Sequence, residues 1–350
     1  MQLVTFERRS EADGPAEARE PSLADGAAGF ASLGPAALGR RRLGSILADG
    51  PRAGEIVDLN RALAIKLAEE DAGAPEAEAD SLLPAEMLRF LRRLPGSLAA
   101  ARAALDFAQQ ALTRYDAPDL LRAGAVAPRA RVRLCAPVPR PGKIIGVARN
   151  YPAHAAERGS APPTEPTLFL KAPSAVIGPE DEIRLPRACA HVDFEGELAV
   201  VIGTHLREAS EAEALAAVAG YCVANDLTAR DVQDARGQRS LAKSCDTFAP
   251  LGPALVTADA VPDPQDLAIR TVLSGEVVQS GRTKEMVFPV ARLLAFASRF
   301  MTLEPGDVLL TGTPAGVGAA RTPPRWLRDG DVIEVAVERV GALRNLVRGA

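Results

Sequence analysis

The sequence predicts a strand-rich α+β protein with a mixed β-sandwich or roll core and a smaller α+β domain at its N-terminus. From residue 143 onward, the chain contains many short β-like runs at irregular spacing, such as KIIGVA, ELAVVIG and DVIEVAVERVG. Helical pieces interrupt these runs, but strand and helix do not alternate as a doubly wound fold requires. Residues 61–112 have helical periodicity instead.

We expect two domains, residues 1–135 and 136–350, because the texture of the chain changes after a proline-containing connection at 117–141. In the first domain, QLVTF predicts a strand and RRLGSILADGPRAGEIVDLN predicts a hairpin around a Gly/Pro turn. A flexible loop is expected near residues 11–37, which lack periodicity and are rich in Ala, Gly, Glu and Pro. The segment SLAAARAALDFAQQAL predicts a helix, with Ser97 as its N-cap.

Composition and charge are those of an ordinary globular protein. The 350 residues include 41 basic and 45 acidic ones, and a net charge of −4 argues against nucleic acid or an anionic membrane as partner. No apolar run approaches the roughly 20 residues of a membrane span, and the first residues lack the apolar core of a secretory signal. The four cysteines show no C-x-x-C pair or zinc-like spacing. We therefore expect a cytoplasmic protein with reduced thiols.

Acidic residues at alternate positions of VDFEGELAVVIG, residues 192–203, are the first indication of a site. Asp193, Glu195 and Glu197 would line one face of a β-strand, where their burial and mutual repulsion are costly. A hard divalent cation prefers carboxylate oxygens and would remove that cost. The alternative is a solvated polar face on an edge strand. Asp226, at the end of the apolar run GYCVA, is either a third ligand or a helix N-cap.

Further segments carry groups suited to acid–base or anion chemistry. His154 and Glu157 are three residues apart, so on a helical turn they touch and can form a general base; a surface pair without function would look the same. Lys243 in AKSCDTFAPLGP could stabilise an anionic substrate or enolate, or be an ordinary exposed lysine. The segment PGDVLLTGTPAGVG, residues 305–318, predicts a buried strand and a Gly-rich loop that could present N–H groups and a hydroxyl.

In this order, these segments resemble the fumarylacetoacetate hydrolase family, which includes acylpyruvate hydrolases and 2-hydroxyhepta-2,4-diene-1,7-dioate isomerases. The matching segments are IIGVARNYPAHAAERG, PTLFLKAPSAVIGPEDEIRLP, VDFEGELAVVIG, GYCVANDLTARDVQ, AKSCDTFAPLGP and FMTLEPGDVLLTGTPAGVG. The resemblance covers about residues 143–318 and is less clear before residue 140. It implies the family's β core in residues 136–350, a small α-keto acid as substrate and a homodimer, with no nucleic-acid or membrane partner.

The resemblance also implies roles for individual residues. It identifies Glu195, Glu197 and Asp226 as ligands of Mg²⁺, or of Mn²⁺ or Ca²⁺ in its place. Asp193 fits the same pattern, and we expect it to have a supporting or structural role. Catalytic roles are implied for His154, Glu157 and Lys243. Substrate binding is implied for Gln233, Thr313, Gly312 and Arg149.

The expected reaction is metal-dependent hydrolysis of a C–C bond in an acylpyruvate-type (2,4-diketo) acid. The His154–Glu157 pair would activate water, and Mg²⁺ would stabilise the enolate. The alternatives are a decarboxylase of oxaloacetate-like acids or an isomerase of hydroxymuconate-type dienes in aromatic catabolism, which also proceed through an enolate. A biosynthetic or non-catalytic member is a further alternative. Residues that contact the distal part of the substrate decide among these reactions.

Overall fold

The computed structural model describes residues 1–9, 40–115 and 118–349. The chain divides into two compact units, Gln2–Cys135 and Ala136–Ala350 together with Met1. The loop expected near residues 11–37 lies outside the described residues. Within the described ranges, no helix combines the length and the apolar composition needed to cross a bilayer.

The unit Gln2–Cys135 combines antiparallel strands with helices. Its strands are β1 (Gln2–Arg8), β2 (Arg42–Ile46), β3 (Ile56–Asp58), β4 (Val126–Ala127) and β5 (Val132–Cys135). Its helices are α1 (Leu59–Glu69), α2 (Pro75–Leu82), α3 (Met87–Leu91), α4 (Gly96–Tyr115) and α5 (Pro118–Arg122). The expected hairpin is present as β2 and β3. The N-cap prediction for Ser97 is wrong, because α4 already begins at Gly96 and the Ser97 hydroxyl donates to the carbonyl of Phe90 at 2.8 Å.

The unit Ala136–Ala350 is rich in strands. They are β6 (Ile144–Ala148), β7 (Thr167–Lys171), β8 (Val176–Ile177), β9 (Ile183–Arg184), β10 (Val192–Asp193), β11 (Gly196–Ile202), β12 (Val218–Asn225), β13 (Thr228–Ala229), β14 (Ala249–Thr257), β15 (Ala268–Leu273), β16 (Glu276–Arg282), β17 (Val308–Leu310), β18 (Val332–Val337) and β19 (Gly341–Arg348). The helices are α6 (Pro152–Glu157), α7 (Glu211–Ala216), α8 (Arg230–Arg236), α9 (Arg239–Ala242) and α10 (Val290–Ser298).

Two sheets of this unit share one hydrophobic core. The first has the strand order β14-β12-β11-β17-β6-β7, and the second has the order β16-β15-β18-β19-β9. Leu198 and Val223 of the first sheet lie in the same buried cluster as Ile269, Val335 and Leu343 of the second. The predicted strand-rich α+β class with a sandwich or roll core is therefore confirmed.

The central strand β11 positions the acidic residues. It pairs with β12 on one side and β17 on the other, and all seven of its residues are buried. Since both edges of the strand are paired, the alternative of a solvated polar face on an edge strand is wrong. Polar side chains on β11 and at its N-terminal end are therefore enclosed by protein and need partners.

Candidate active site

Three buried carboxylates converge where β11 begins and β12 ends. One oxygen atom from each of Glu195, Glu197 and Asp226 lies within 4.8 Å of the others. The antiparallel register pairs Glu197 with Ala224, and the N–H of Asp226 donates to the carbonyl of Glu195 at 2.8 Å. Pairing of adjacent strands therefore joins residues that are far apart in sequence. The N-cap alternative for Asp226 is wrong, because α8 is preceded by Ala229 at its N-cap position.

Asp193 does not share a strand face with the other two acidic residues, contrary to the expectation from their alternate spacing. The chain changes sheets between them, since Asp193 ends β10, which pairs with β13, whereas β11 starts only at Gly196. Asp193 instead accepts hydrogen bonds from the Gly318 N–H at 2.7 Å and from the Arg230 Nε at 2.8 Å. It therefore contacts the carboxylate cluster through Arg230.

Buried cations balance most of the negative charge of the cluster. The Nζ of Lys243 donates to Glu195 and to Asp226, at 2.6 Å in each case. Lys171 donates to the other oxygen of Asp226, and the Nη2 of Arg230 donates to Glu195 at 2.7 Å. Lys243 is 4% exposed, which excludes the alternative of an ordinary surface lysine.

Sequence reasoning missed Lys171, Arg230 and Gln279. A lysine that ends the apolar run TLFLK is unusual, and this could have identified Lys171. Gln279 lies on β16, and its side chain bridges two strand ends by accepting the Gly196 N–H at 2.9 Å and donating to the Thr313 hydroxyl at 2.7 Å. Nothing in the local sequence around Gln279 indicates this role, because its partners are distant along the chain.

Together with Asp193 and the three buried cations, the cluster has a residual charge of −1 when all of these groups are ionised. Four buried carboxylates face three buried cations; these are Asp193, Glu195, Glu197 and Asp226, and Lys171, Arg230 and Lys243. Burial alone would raise the pKa of Glu195, but the positive charges of Lys243 and Arg230 outweigh it and hold that pKa below its usual range. Glu195 is therefore anionic at neutral pH.

Glu197 has the opposite electrostatic environment. Burial, followed by the negative charges of Asp226 and Glu195, raises the pKa of Glu197 well above its usual range. Its Oε2 accepts the N–H of Gly312 at 2.7 Å, and in the described part of the chain no lysine or arginine forms an ion pair with it. Glu197 is thus a buried carboxyl group in a negative environment that lacks its own cation.

Both the donor atoms and the charge of the cluster fit a divalent metal ion. It offers hard oxygen donors, which Mg²⁺, Mn²⁺ and Ca²⁺ prefer. A divalent ion would also change its residual charge from −1 to +1 and would supply the cation that Glu197 lacks. Glu195, Glu197 and Asp226 are the residues that would hold such an ion.

His154 and Glu157 form a hydrogen-bonded pair on α6, as their spacing predicts. The distance between His154 Nδ1 and Glu157 Oε1 is 2.7 Å. The other oxygen of Glu157 accepts the N–H of Gly316 at 2.8 Å, so the carboxylate is held from both sides. A carboxylate acceptor at Nδ1 favours the tautomer whose Nε2 is a free proton acceptor. This nitrogen is chemically suited to accept a proton.

A cavity of 260 Å³ joins His154 to the carboxylate cluster. Its lining includes His154, Glu195 and Lys243. Three of the four residues expected to bind substrate also line it: Arg149, Gln233 and Thr313. The fourth, Gly312, is not in the lining formed by the described residues, and its N–H is already used by Glu197.

Thr313 and Gln233 already have protein partners at the cavity wall. The Thr313 hydroxyl donates its only proton to the carbonyl of Gly196 at 2.9 Å. Hydrogen bonding of this hydroxyl to a substrate oxygen would require that bond to be exchanged. Gln233 Nε2 donates to Asp234 at 3.2 Å, a longer contact that a ligand could replace more readily.

Comparison with known proteins confirms the resemblance seen in the sequence. The family model for the fumarylacetoacetate (FAA) hydrolase C-terminal region matches residues 143–348. A Xenopus laevis protein named oxaloacetate tautomerase fahd2, mitochondrial, is 40% identical over 308 residues, which cover 87% of this chain and 86% of the relative.

Solved structures give the same result. The structure of a 2-hydroxyhepta-2,4-diene-1,7-dioate isomerase from Mycobacterium marinum is 42% identical, with a TM-score of 0.57, and covers 65% of this chain and 81% of its own. A fumarylacetoacetate hydrolase from the psychrophile Exiguobacterium antarcticum is 33% identical, with a TM-score of 0.69, and covers 99% and 100% of the two chains. The chain therefore belongs to the fumarylacetoacetate hydrolase family.

Proposed function

We propose that this protein is a divalent-metal-dependent enzyme that interconverts the enol and keto forms of a 2-oxo dicarboxylic acid of the oxaloacetate type. The observation that carries the proposal is one cavity that contains both Glu195 of the carboxylate cluster and the base His154. The similarity to an oxaloacetate tautomerase over 87% of the chain supports it. The proposal departs from the expected C–C hydrolysis and lies closer to its isomerase alternative.

Enol–keto conversion moves one proton between C3 and the 2-oxo oxygen of the substrate. A bound divalent ion would polarise that oxygen and stabilise the negative charge that develops on it. Lys243 adds a fixed positive charge at the same end of the cavity. Burial alone would lower the pKa of Lys243, but Asp226 and Glu195 outweigh it and raise that pKa, so the ammonium group stays charged.

His154 is the group suited to move the C3 proton. In the keto-to-enol direction, its Nε2 lone pair removes a proton from C3, the C–H electrons form the C2–C3 double bond, and the π electrons of the C2 carbonyl move onto its oxygen. The resulting enolate oxygen takes a proton from water, and the imidazolium releases its own proton to water. The reverse direction follows the same steps backwards, and the imidazolium returns its proton to C3. Glu157, which is 2.7 Å from Nδ1, stabilises the imidazolium and keeps the ring oriented.

Hydrolysis of a C–C bond in an acylpyruvate is the second candidate function. The specific observation that favours it is the same His154–Glu157 pair, which could deprotonate a water molecule instead of C3. The similarity to a fumarylacetoacetate hydrolase across 99% of the chain also supports it. Decarboxylation of oxaloacetate is the remaining alternative, and it requires no base.

Three assays run in parallel separate these reactions. They measure the decay of the enol absorbance of oxaloacetate, pyruvate formation from oxaloacetate, and pyruvate release from acetylpyruvate, each with Mg²⁺ and with EDTA. We expect chelator-sensitive tautomerisation to be the fastest of the three. Chelator-sensitive release from acetylpyruvate without tautomerisation would replace the proposal with the hydrolase, and pyruvate formation from oxaloacetate alone would replace it with the decarboxylase.

The expected homodimer and cytoplasmic location are also part of this proposal. The dimer rests on the family resemblance, and light scattering of the purified protein measures it directly. The cytoplasmic expectation competes with the mitochondrial location in the name of the Xenopus laevis relative. Fractionation of cells that produce the tagged protein distinguishes the two compartments.

A further inference from the structure

Two of the basic side chains that line the cavity have no anionic partner. The paired ones are Arg158 with Asp234 at 3.0 Å, Arg230 with Asp193 and Glu195, and Lys243 with Glu195 and Asp226. Arg149 and Arg239 line the same cavity, yet across the described ranges no carboxylate lies at ion-pair distance from either guanidinium. These two groups are therefore available to an anion that enters the cavity.

Arg149 is held in an unusual conformation at the cavity wall. It follows β6 directly and has a φ of +58°, a backbone conformation that residues other than glycine seldom adopt. Its Nε is buried and has no hydrogen-bond partner among the described residues. A buried donor without a partner is costly unless a ligand satisfies it.

Arg239 lies one helical turn before Lys243. It opens the short helix α9, and the N–H of Lys243 donates to its carbonyl at 3.1 Å, so their side chains share one face of the turn. Both cations flank the ring of Phe169, with the Lys243 Nζ 5.1 Å and the Arg239 Cζ 5.9 Å from the ring centroid. Proximity to a ring uses none of the N–H donors of a guanidinium in a hydrogen bond to a carboxylate, so those of Arg239 remain available to an anion.

The spacing of these two cations suits a short dicarboxylate. Side chains four residues apart on a helix have Cβ atoms about 5–6 Å apart. The three carbon–carbon bonds of a four-carbon acid, each about 1.5 Å long, hold its carboxyl carbons about 4 Å apart. A substrate whose 2-oxo carboxylate lies near Lys243 therefore brings its second carboxylate within reach of Arg239.

We propose that Arg239, together with Arg149, binds the second carboxylate of the substrate and makes this site selective for dicarboxylates over monocarboxylates of the same length. The inference rests on the proposed function, which places the 2-oxo group, and with it the adjoining carboxylate, at the end of the cavity that contains the carboxylate cluster and Lys243. A guanidinium can donate two parallel N–H bonds to one carboxylate, which gives geometric selectivity as well as affinity.

Calorimetric titration of the Mg²⁺-loaded protein with two non-reacting acids tests this inference. Malate and 2-hydroxybutyrate have the same four-carbon chain and the same 2-hydroxycarboxylate head, and only malate has a second carboxylate. We expect the wild type to bind malate at least about tenfold more tightly. Arg239→Gln should weaken malate binding alone and reduce the ratio several-fold, because only Arg149 remains to bind the second carboxylate. Arg236→Gln, an exposed arginine of α8, is the matched control and should keep the wild-type ratio.

Either of two results would overturn the inference: equal affinity of the wild type for both acids, or an unchanged ratio in Arg239→Gln. Arg239→Lys keeps the charge but loses the paired donors, and it should recover part of the malate preference. Oxaloacetate turnover is measured on the same samples. Turnover without a malate preference refutes only the selectivity of Arg239, whereas an Arg239-dependent preference without turnover refutes only the proposed reaction.

Discussion

Glu197 differs from the other carboxylates of the cluster because no cation of the described chain pairs with it. The raised pKa of this group means that, without metal, it tends to hold a proton. Glu197→Gln resembles that protonated form, so the free energy of unfolding of the metal-free protein should change by less than about 1 kcal/mol. Mn²⁺ affinity should fall at least about 100-fold, because one of three ligands is lost. Electron paramagnetic resonance measures free and bound Mn²⁺.

Glu195→Gln is the matched comparison at the same cluster. Glu195 accepts hydrogen bonds from Lys243 and Arg230, so removal of its charge leaves each of these buried cations with a single carboxylate partner, Asp226 and Asp193 respectively. We expect this variant to lose metal affinity and also about 3 kcal/mol of unfolding free energy. Equal stability of the two metal-free variants would contradict the assignment of Glu197 as the one carboxylate without a cation.

We expect His154 to transfer protons and not to bind the metal ion. His154→Gln should slow tautomerisation by about 10²–10⁴-fold, the usual contribution of a positioned general base. Mn²⁺ affinity should stay at the wild-type value, since His154 is not part of the carboxylate cluster. Glu157→Gln serves as control and should give a smaller loss of rate, because it weakens the orientation of the ring but leaves the base in place. A parallel loss of metal affinity in His154→Gln would argue against this division of roles.

The loop after β17 contacts the carboxylate cluster through the backbone of Gly312. Gly312 has a φ of +96°, and a Cβ there would lie 2.8 Å from the Cβ of Asn150. Gly312→Ala should cost about 2–3 kcal/mol of unfolding free energy and weaken Mn²⁺ binding, because displacement of this N–H removes a partner of Glu197. Chemical denaturation and Mn²⁺ titration measure the two effects.

Gly275→Ala is the control for the energy that a positive φ costs at an alanine. Gly275 has a φ of +91°, but a Cβ there would meet no atom within 4 Å. Its replacement should cost only the energy of the strained φ and leave Mn²⁺ affinity unchanged. If both alanine variants lose equal stability and keep full metal affinity, the contact between the loop and Asn150 does not position Glu197.

At the scale of the elements, local patterns were predictable and long-range ones were not. The hairpin of β2 and β3 and the His154–Glu157 contact on α6 depend on residues a few positions apart, so the sequence indicated both. The alternating carboxylates of VDFEGE are compatible with one continuous strand as well as with the two separate strands that the structure has. The chain changes sheet between β10 and β11, and Asp193 accepts hydrogen bonds from Arg230 and Gly318, which no local pattern connects to it. The same reason explains why Lys171 and Gln279 were missed.

Metal binding should stabilise the folded molecule as a whole. A ligand that binds only the native state adds about 2.7 kcal/mol at a free concentration 100 times its Kd. We therefore expect Mg²⁺ to raise the Tm by a few degrees, and EDTA to reverse the rise. All three candidate ligands belong to the unit Ala136–Ala350, so the transition in which that unit unfolds should be the one that shifts. Calorimetry of Glu197→Gln should show no shift, and a full shift in that variant would place the ion elsewhere.

The central claim for the molecule is that enol–keto chemistry depends on an ion held by Glu195, Glu197 and Asp226. The most direct measurement is the decay of enol-oxaloacetate absorbance with wild type and Glu197→Gln, over a Mg²⁺ titration and after addition of EDTA. We predict acceleration by the wild type that saturates with Mg²⁺, disappears with EDTA and is absent in the variant at the same concentrations. Acceleration that survives both EDTA and the substitution, or no acceleration by wild type with the metal demonstrably bound, would contradict the claim.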